Sequence, residues 1–410
     1  MRILIGSGPT RKQEQTMPHS QTLAPTTTKQ EILDRIRALA PRIGGRAEAA
    51  EEARRMPDES VQELLDAGIA RILIPRRFGG YGLGVDTWFD VVREISKADA
   101  SHGWCASLII HHPHIVGMFP EEAQQEVWAE GPDAAIAASF LPMTQVTREN
   151  GGYRVSGQHS AFASGVGHSS WVIVGGFVPE GVTPYWAFFL IPPGEYKVRD
   201  TWFTAGMRAT GSNTIITDNV FVPSTRVLSL SDLRDGKAPG GAVNESPIFR
   251  TPLFFYAPLT FATPMLGAAQ GAYEHFREWT KTRKAVDGAP LAEKTSIQVR
   301  MARAAADLDA CELLLRRAAQ VPHEPESHSP QLLARSVRDF ARAAELAVGA
   351  IDTLMALSGT AGFATSHPIQ RAWRDIHFAS MHISLNTENN YAHFGRTEFG
   401  FARDPNQPFF

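Results

Sequence analysis

The chain has 410 residues, 43% hydrophobic and 20% charged, an ordinary globular composition and too long for one small core. With a net charge of −3 nothing points to nucleic acid or an anionic membrane as a partner, and no apolar run is read as a membrane span. Two cysteines, Cys105 and Cys311, each in apolar helical sequence, make neither a disulfide framework nor a metal cluster and fit a reducing cytoplasm.

Residues 1–29 read as a disordered polar leader, with Met17 as an alternative start. The stretch from Arg2 to Ile5 followed by Gly6-Ser7-Gly8 has the outline of a strand entering a dinucleotide loop. The third glycine is missing, Pro9 follows and no apolar helix comes next, so the fingerprint lacks its context.

Residues 30–130 read as a helical domain. Ile32, Ile36, Leu39 and Ile43 recur at helical spacing. Pro57-Asp58-Glu59 opens a second helix, with acids in its first turn, and Gly68 stops it. Residues 86–98 and 101–118 read as further helices. The latter is apolar on most sides, which predicts burial, and it carries Trp104, His111, His112 and His114.

Strand-like runs follow over 131–232, separated by turns at Asn150-Gly151-Gly152 and Pro192-Pro193-Gly194. With no helices between them, an antiparallel barrel or sandwich is expected. A polar, Gly-rich linker covers 233–250. Helical periodicity then returns over 255–284, 294–319, 331–359 and 368–394, which predicts a four-helix bundle within 251–410. The last of these is read as one long helix bearing His377, His382 and His393.

That order, α then β then a four-helix bundle, comes with local motifs. They are IPRRFGGYGLG, Gly206-Met207-Arg208-Ala209-Thr210-Gly211-Ser212 with Val222-Pro223, and His367-Pro368-Ile369-Gln370-Arg371 with Arg374-Asp375. Together they resemble the acyl-CoA dehydrogenase fold over nearly the whole chain. Within that fold, four segments resemble the flavin-dependent two-component monooxygenases that hydroxylate phenols, among them the hydroxylases of 4-hydroxyphenylacetate and of 3-hydroxy-9,10-seconandrostatrienedione. They are Ser101-His102-Gly103-Trp104, Trp171-Val172-Ile173-Val174-Gly175-Gly176, Thr210-Gly211-Ser212-Asn213-Thr214, and Trp373-Arg374-Asp375 with His382.

The resemblance implies an oxygenase component that takes reduced FMN or FAD from a separate NAD(P)H:flavin reductase, binds O2, and holds a C4a-hydroperoxyflavin; an acyl-CoA dehydrogenase-like or nitroalkane oxidase-like flavoenzyme, or a sulfur, nitrogen or indole monooxygenase of the same fold, is the alternative. It implies a small aromatic substrate, a homotetramer, and no nucleic acid or membrane partner.

It also implies roles for single residues. Phe162-Ala163-Ser164 stands where the dehydrogenases place a hydroxyl facing flavin N5, which gives Ser164 that part; on its chemistry alone it is a β-edge serine. His382 falls at the position of a base for the phenol, in the range where imidazole titrates. For His377 and His393 a solvated or core histidine is the preferred reading. His112 and Ser139 match positions facing the substrate, against an ordinary helix histidine and strand serine. Trp104 and Phe162 would border the flavin, Arg208, Thr210, Ser212 and Asn213 would meet it from the β domain, and Arg283 would reach a neighbouring subunit's flavin phosphates with its planar fork. Turn-forming polar residues and a surface arginine are the plain alternatives.

Two departures stand out: the segment from Gln158 to Ser164 is one residue longer than usual, and His159 stands where the hydroxylases carry Trp. Where short-chain acyl-CoA dehydrogenases keep a catalytic glutamate, this chain has His382-Ile383-Ser384, with Glu388 a helical turn further on.

Overall fold

The structure, a computed structural model, describes residues 27–404 except 181 and 182, together with 407 and 409. Nearly all of the expected leader, including Gly6-Ser7-Gly8 and Met17, lies outside the described residues.

The helical first part holds α1 (Lys29–Ala53), α2 (Asp58–Asp66), α3 (Val85–Ala98), α4 (Ala100–Val116) and α5 (Glu121–Val127). Thr28 and Glu31 cap α1 reciprocally, side chain to backbone in both directions. All seventeen residues of α4 are buried, as its apolar circumference predicts.

The middle part is one seven-stranded sheet made of β1 (Ile136–Glu149), β2 (Gly152–Ala163), β3 (Trp171–Val178), β4 (Tyr185–Ile191), β5 (Lys197–Arg199), β6 (Asn213–Pro223) and β7 (Val227–Ser229). Their order is β5-β6-β2-β1-β3-β4-β7. The expected antiparallel barrel is corrected in two respects. The sheet is mixed, because β1 runs parallel to β3, and it is open, ending at β5 and β7.

The cause lies in β1. Its second half pairs antiparallel with β2 (Gln145 opposite Ser156), its first half parallel with β3 (Ile136 opposite Trp171), and the register shifts between Ser139 and Thr144. β2 thus serves as the dozen-residue crossover that a parallel neighbour requires. Alternation along a strand reports which face is buried and carries no information on direction.

After a short α6 (Leu230–Asp235) come α7 (Leu259–Lys281), α8 (Thr295–Gln320), α9 (Pro330–Ser358), α10 (Pro368–Ser380) and α11 (Thr387–Glu398). Gly267 and Gly271 let α7 close on α3: a Cβ there would fall 2.4 and 2.1 Å from the carbonyl oxygens of Arg93 and Lys97. By length and composition Pro330–Phe363 could cross a membrane, but α9 packs its apolar side against α7, α8 and α11.

The last helix is not continuous, contrary to expectation. It breaks after Ser380, makes a turn over Ile383–Leu385, and restarts at Thr387. Asn386 accepts from Asn389 N at 2.8 Å as the cap of α11. Buried Asn390 donates to the carbonyls of Val337 (3.1 Å) and Ser384 (3.0 Å), pinning the break onto α9. His382 therefore sits at a helix break, where its side chain is the cap.

Candidate active site

The wall of the site forms where α4, the end of β2, the loop before β6 and the α10–α11 break converge. Trp104 projects from α4, and its indole N–H donates to Ser164 Oγ at 3.1 Å. Ser164 follows directly on β2. Its Oγ lies 2.7 Å from Ser212 Oγ, which lies 2.6 Å from Thr210 Oγ1. Thr210 Oγ1 donates to the Met207 carbonyl at 2.8 Å, and that carbonyl also accepts the Trp202 indole N–H at 2.9 Å. Beside this chain Phe162 adopts φ +65° and remains 62% exposed, edge-on to Trp202. A bulky residue in the left-handed region is uncommon and points to a surface shaped for something.

The aromatic side of the same wall carries His382. Its ring stacks on Phe261 of α7 with centroids 3.5 Å apart and meets Trp104 edge-on at 5.9 Å. Trp104 and Phe261 are themselves 4.9 Å apart. His382 Nδ1 accepts the Ser384 backbone N–H at 3.2 Å, so the neutral imidazole carries its proton on Nε2. Apolar surroundings push its pKa down to about 3. Ser164 and His382, far apart in sequence, thus share one tryptophan. Phe261 was missed as a site residue, because a phenylalanine in an apolar helix carries the same signal as any core residue. Glu388 is exposed in the first turn of α11.

His112, further along α4, and Ser139 on β1 are each tied to backbone carbonyls. His112 Nδ1–H donates to the Ile136 carbonyl of β1 at 2.8 Å, which leaves Nε2 as an acceptor. Burial lowers its pKa to about 4. Ser139 Oγ donates to the Ala161 carbonyl at 2.7 Å. His112 lies eight residues beyond Trp104, a rise of about 12 Å along the helix axis. His112 is thus set well apart from the Trp104 wall along α4.

The remaining candidates hold the scaffold or lie on its rim. Asp375 Oδ1 accepts the Met207 backbone N–H at 2.6 Å. Arg374 pairs with Glu51 and donates to the Ala205 carbonyl at 2.6 Å, so the Arg-Asp pair docks the loop bearing Thr210 and Ser212 onto α10 and α1. Arg208 donates to the Glu51 carbonyl at 3.3 Å. Asn213 Oδ1 accepts from the backbone N–H groups of Thr201 (2.9 Å) and Trp202 (3.1 Å). Arg283 is exposed and lies over Trp279, 5.0 Å from the ring centre. His377 pairs with Asp352 of α9 at 3.3 Å. Cys105 and Cys311 are buried free thiols whose pKa values burial pushes up.

Comparison with known proteins gives two family matches, the acyl-CoA dehydrogenase N-terminal domain over residues 26–131 and the acyl-CoA dehydrogenase C-terminal domain over 259–387. The flavin-dependent monooxygenase oxygenase subunit HsaA of Mycobacterium tuberculosis (strain H37Rv) is 36% identical over 387 residues, 90% of this chain and 96% of that protein. The FADH2-dependent resorcinol hydroxylase oxygenase component of Rhizobium sp. (strain MTP-10005) is 35% identical over 402 residues, 94% and 98% of the two chains. The crystal structure of the 3-HSA hydroxylase from Rhodococcus sp. RHA1 superposes with a TM-score of 0.88 at 34% identity, covering 93% of this chain and 99% of that one.

Proposed function

This chain belongs to the flavin-dependent monooxygenases of the acyl-CoA dehydrogenase fold, as an oxygenase subunit, and we propose that it uses reduced flavin and O2 to hydroxylate an aromatic substrate of the phenol class. Its partners are a separate NAD(P)H:flavin reductase and copies of itself in a cytoplasmic homotetramer, in which Arg283 would reach a neighbour's flavin phosphates. The resorcinol-hydroxylating relative takes FADH2 by name; reduced FAD and reduced FMN are both candidates here.

The observation that carries this reading is the meeting of Ser164 and His382 at Trp104. The residues present fit a flavin ring: Ser164 Oγ keeps an unspent lone pair, and the Trp104 and Phe162 rings offer apolar faces beside it. When bound, reduced flavin supplies the electrons that activate O2. Thr210 and Ser212 hold Ser164, and the aromatic wall of Trp104, Phe261 and Phe162 keeps water from the ring.

The two histidines offer opposite groups at separate places along α4, so they would meet different parts of the substrate. The resemblance makes His382 the base. Its geometry favours a narrower part, because Nδ1 is taken by Ser384 N–H and Nε2–H is what it offers, a donor for a polar group of the substrate or the oxygen that attacks it. His112 offers the Nε2 lone pair and is the acceptor, and the resemblance adds Ser139 as a substrate contact. Burial holds His112 neutral and a weak base, so it does not carry off the phenol proton beforehand. His112 therefore holds that proton in a hydrogen bond and takes it as the ring carbon bonds to oxygen.

The test uses His112→Gln and His382→Ala supplied with reduced flavin and a phenol. Both are expected to go on consuming reduced flavin and O2 while product yield falls and H2O2 rises. Hydroxylation at the wild-type rate in both variants would refute the assignment.

A further inference from the structure

The hydroxyl chain behind Ser164 has a direction. The Met207 carbonyl can only accept, so Thr210 gives its single hydroxyl proton there. Thr210 Oγ1 must then accept from Ser212, and Ser212, its proton spent, must accept from Ser164. At the far end the Trp104 indole can only donate, and it occupies one lone pair of Ser164. Ser164 is left with one lone pair and no proton to offer. Reversing the chain would set Thr210 Oγ1 and Met207 O, 2.8 Å apart, lone pair to lone pair. Trp104, Ser164, Thr210 and Ser212 are each at most 9% exposed, so water does not relieve that conflict.

A flavin's N5 changes sides with redox state. Oxidised, it is an acceptor; reduced, it carries a proton and donates. We infer that the relay from Met207 through Thr210 and Ser212 makes Ser164 an obligate acceptor, so that the site prefers the N5–H form of flavin and rejects the oxidised one. The inference rests on the flavin reading above and adds a residue-level cause for redox selectivity. Thr210 and Ser212 are positioning residues that act through Ser164. The consequence for the cycle is that oxidised flavin, facing lone pair to lone pair at N5, leaves the subunit and returns to the reductase.

The experiment compares dissociation constants for reduced FAD, measured anaerobically, and oxidised FAD, in wild type, Thr210→Val, Ser212→Ala and Thr210→Ser. Thr210→Val frees the Ser212 proton for Ser164, whose own proton can then turn to an oxidised N5; the Met207 carbonyl keeps Trp202 as donor. Ser212→Ala frees the Ser164 proton directly. Exchanging an opposed lone pair for a buried hydrogen bond predicts that the ratio of oxidised to reduced dissociation constants falls about tenfold in both variants. Thr210→Ser keeps the relay and the wild-type ratio. General damage to the site would weaken both redox states together and leave the ratio unmoved. A ratio within about twofold of wild type in Thr210→Val and Ser212→Ala overturns the inference while leaving the flavin reading intact; if Thr210→Val fails to fold, Ser212→Ala decides alone. A wild-type protein that binds neither redox state overturns the reading and the inference with it.

Discussion

Asp375 offers a prediction whose sign separates two physical pictures. Its carboxyl is 3% exposed, and burial, then the nearby charge of Asp99, push its pKa from 3.8 up to about 8. The folded value lies above the unfolded one, so the native protein keeps a proton that the unfolded chain releases. Stability from this group is therefore lost as pH rises from about 4 to about 8. At about 1.4 kcal/mol per unit, the cost reaches about 4 kcal/mol at pH 7 and changes by about 3 kcal/mol between pH 5 and pH 7. Asp375→Asn keeps an oxygen for the Met207 N–H and cannot ionise. Urea unfolding of both proteins at pH 5, 6 and 7 should show the variant gaining on wild type by about 3 kcal/mol over that range. The difference between two pH values cancels any fixed cost of the amide. If Asp375 were an ordinary ion-paired carboxylate of Arg374, the variant would lose ground as pH rises, and a flat or falling difference would refute the reasoning.

Ser164→Ala removes the acceptor proposed for N5 and leaves the Trp104 indole without a partner; peroxide released per reduced flavin should rise several-fold, measured by peroxidase-coupled assay. Phe261→Ala deletes the ring stacked on His382. Its cost in stability should be about 3 kcal/mol, with a loss of product yield like that of His382→Ala, checked by unfolding and by product chromatography. The buried α4 histidines should make the protein acid-labile: His112 and His114 hold pKa values of about 4 and about 3, below the unfolded 6.5. The unfolded chain then binds protons that the native one refuses, and stability falls as pH drops below 6.5 toward those values, by about 1.4 kcal/mol per pH unit for each group. His114→Gln should reduce the slope of stability against pH between 6 and 4 by about one proton; an unchanged slope would count against the burial argument.

Much of this molecule is legible in its periodicities, and the exceptions have physical causes. Ile32, Ile36, Leu39 and Ile43 mark the buried stripe of α1, and the apolar run around Trp104 marks a helix buried on every side. The direction of β3 against β1 is invisible to such patterns, because alternation is the same in either direction. The break at His382 left a trace: Asn386-Thr387-Glu388-Asn389 is a helix-start signal inside an otherwise helical stretch, overridden in the reading by the apolar spacing on either side. Ser164, Trp104 and His382 were reached through resemblance, and their residue types alone carried no such message. What no sequence reading could reach is the sense of the Thr210–Ser212–Ser164 relay. It is set by the Met207 carbonyl, while the Trp104 N–H takes up one Ser164 lone pair, and both partners appear only in the fold.

In the proposed function, O2 activated by reduced flavin in this subunit supplies the new oxygen on an aromatic ring. The most direct measurement incubates the protein with reduced FAD, regenerated by a flavin reductase and NADH, a panel of phenols that includes resorcinol, and oxygen-18 gas, and reads the products by mass spectrometry. The expected product is a hydroxylated phenol carrying one atom of oxygen-18, with yield lost in Ser164→Ala and His382→Ala. Flavin reoxidised entirely to labelled H2O2 across the panel, or a product whose new oxygen comes from water, would contradict it.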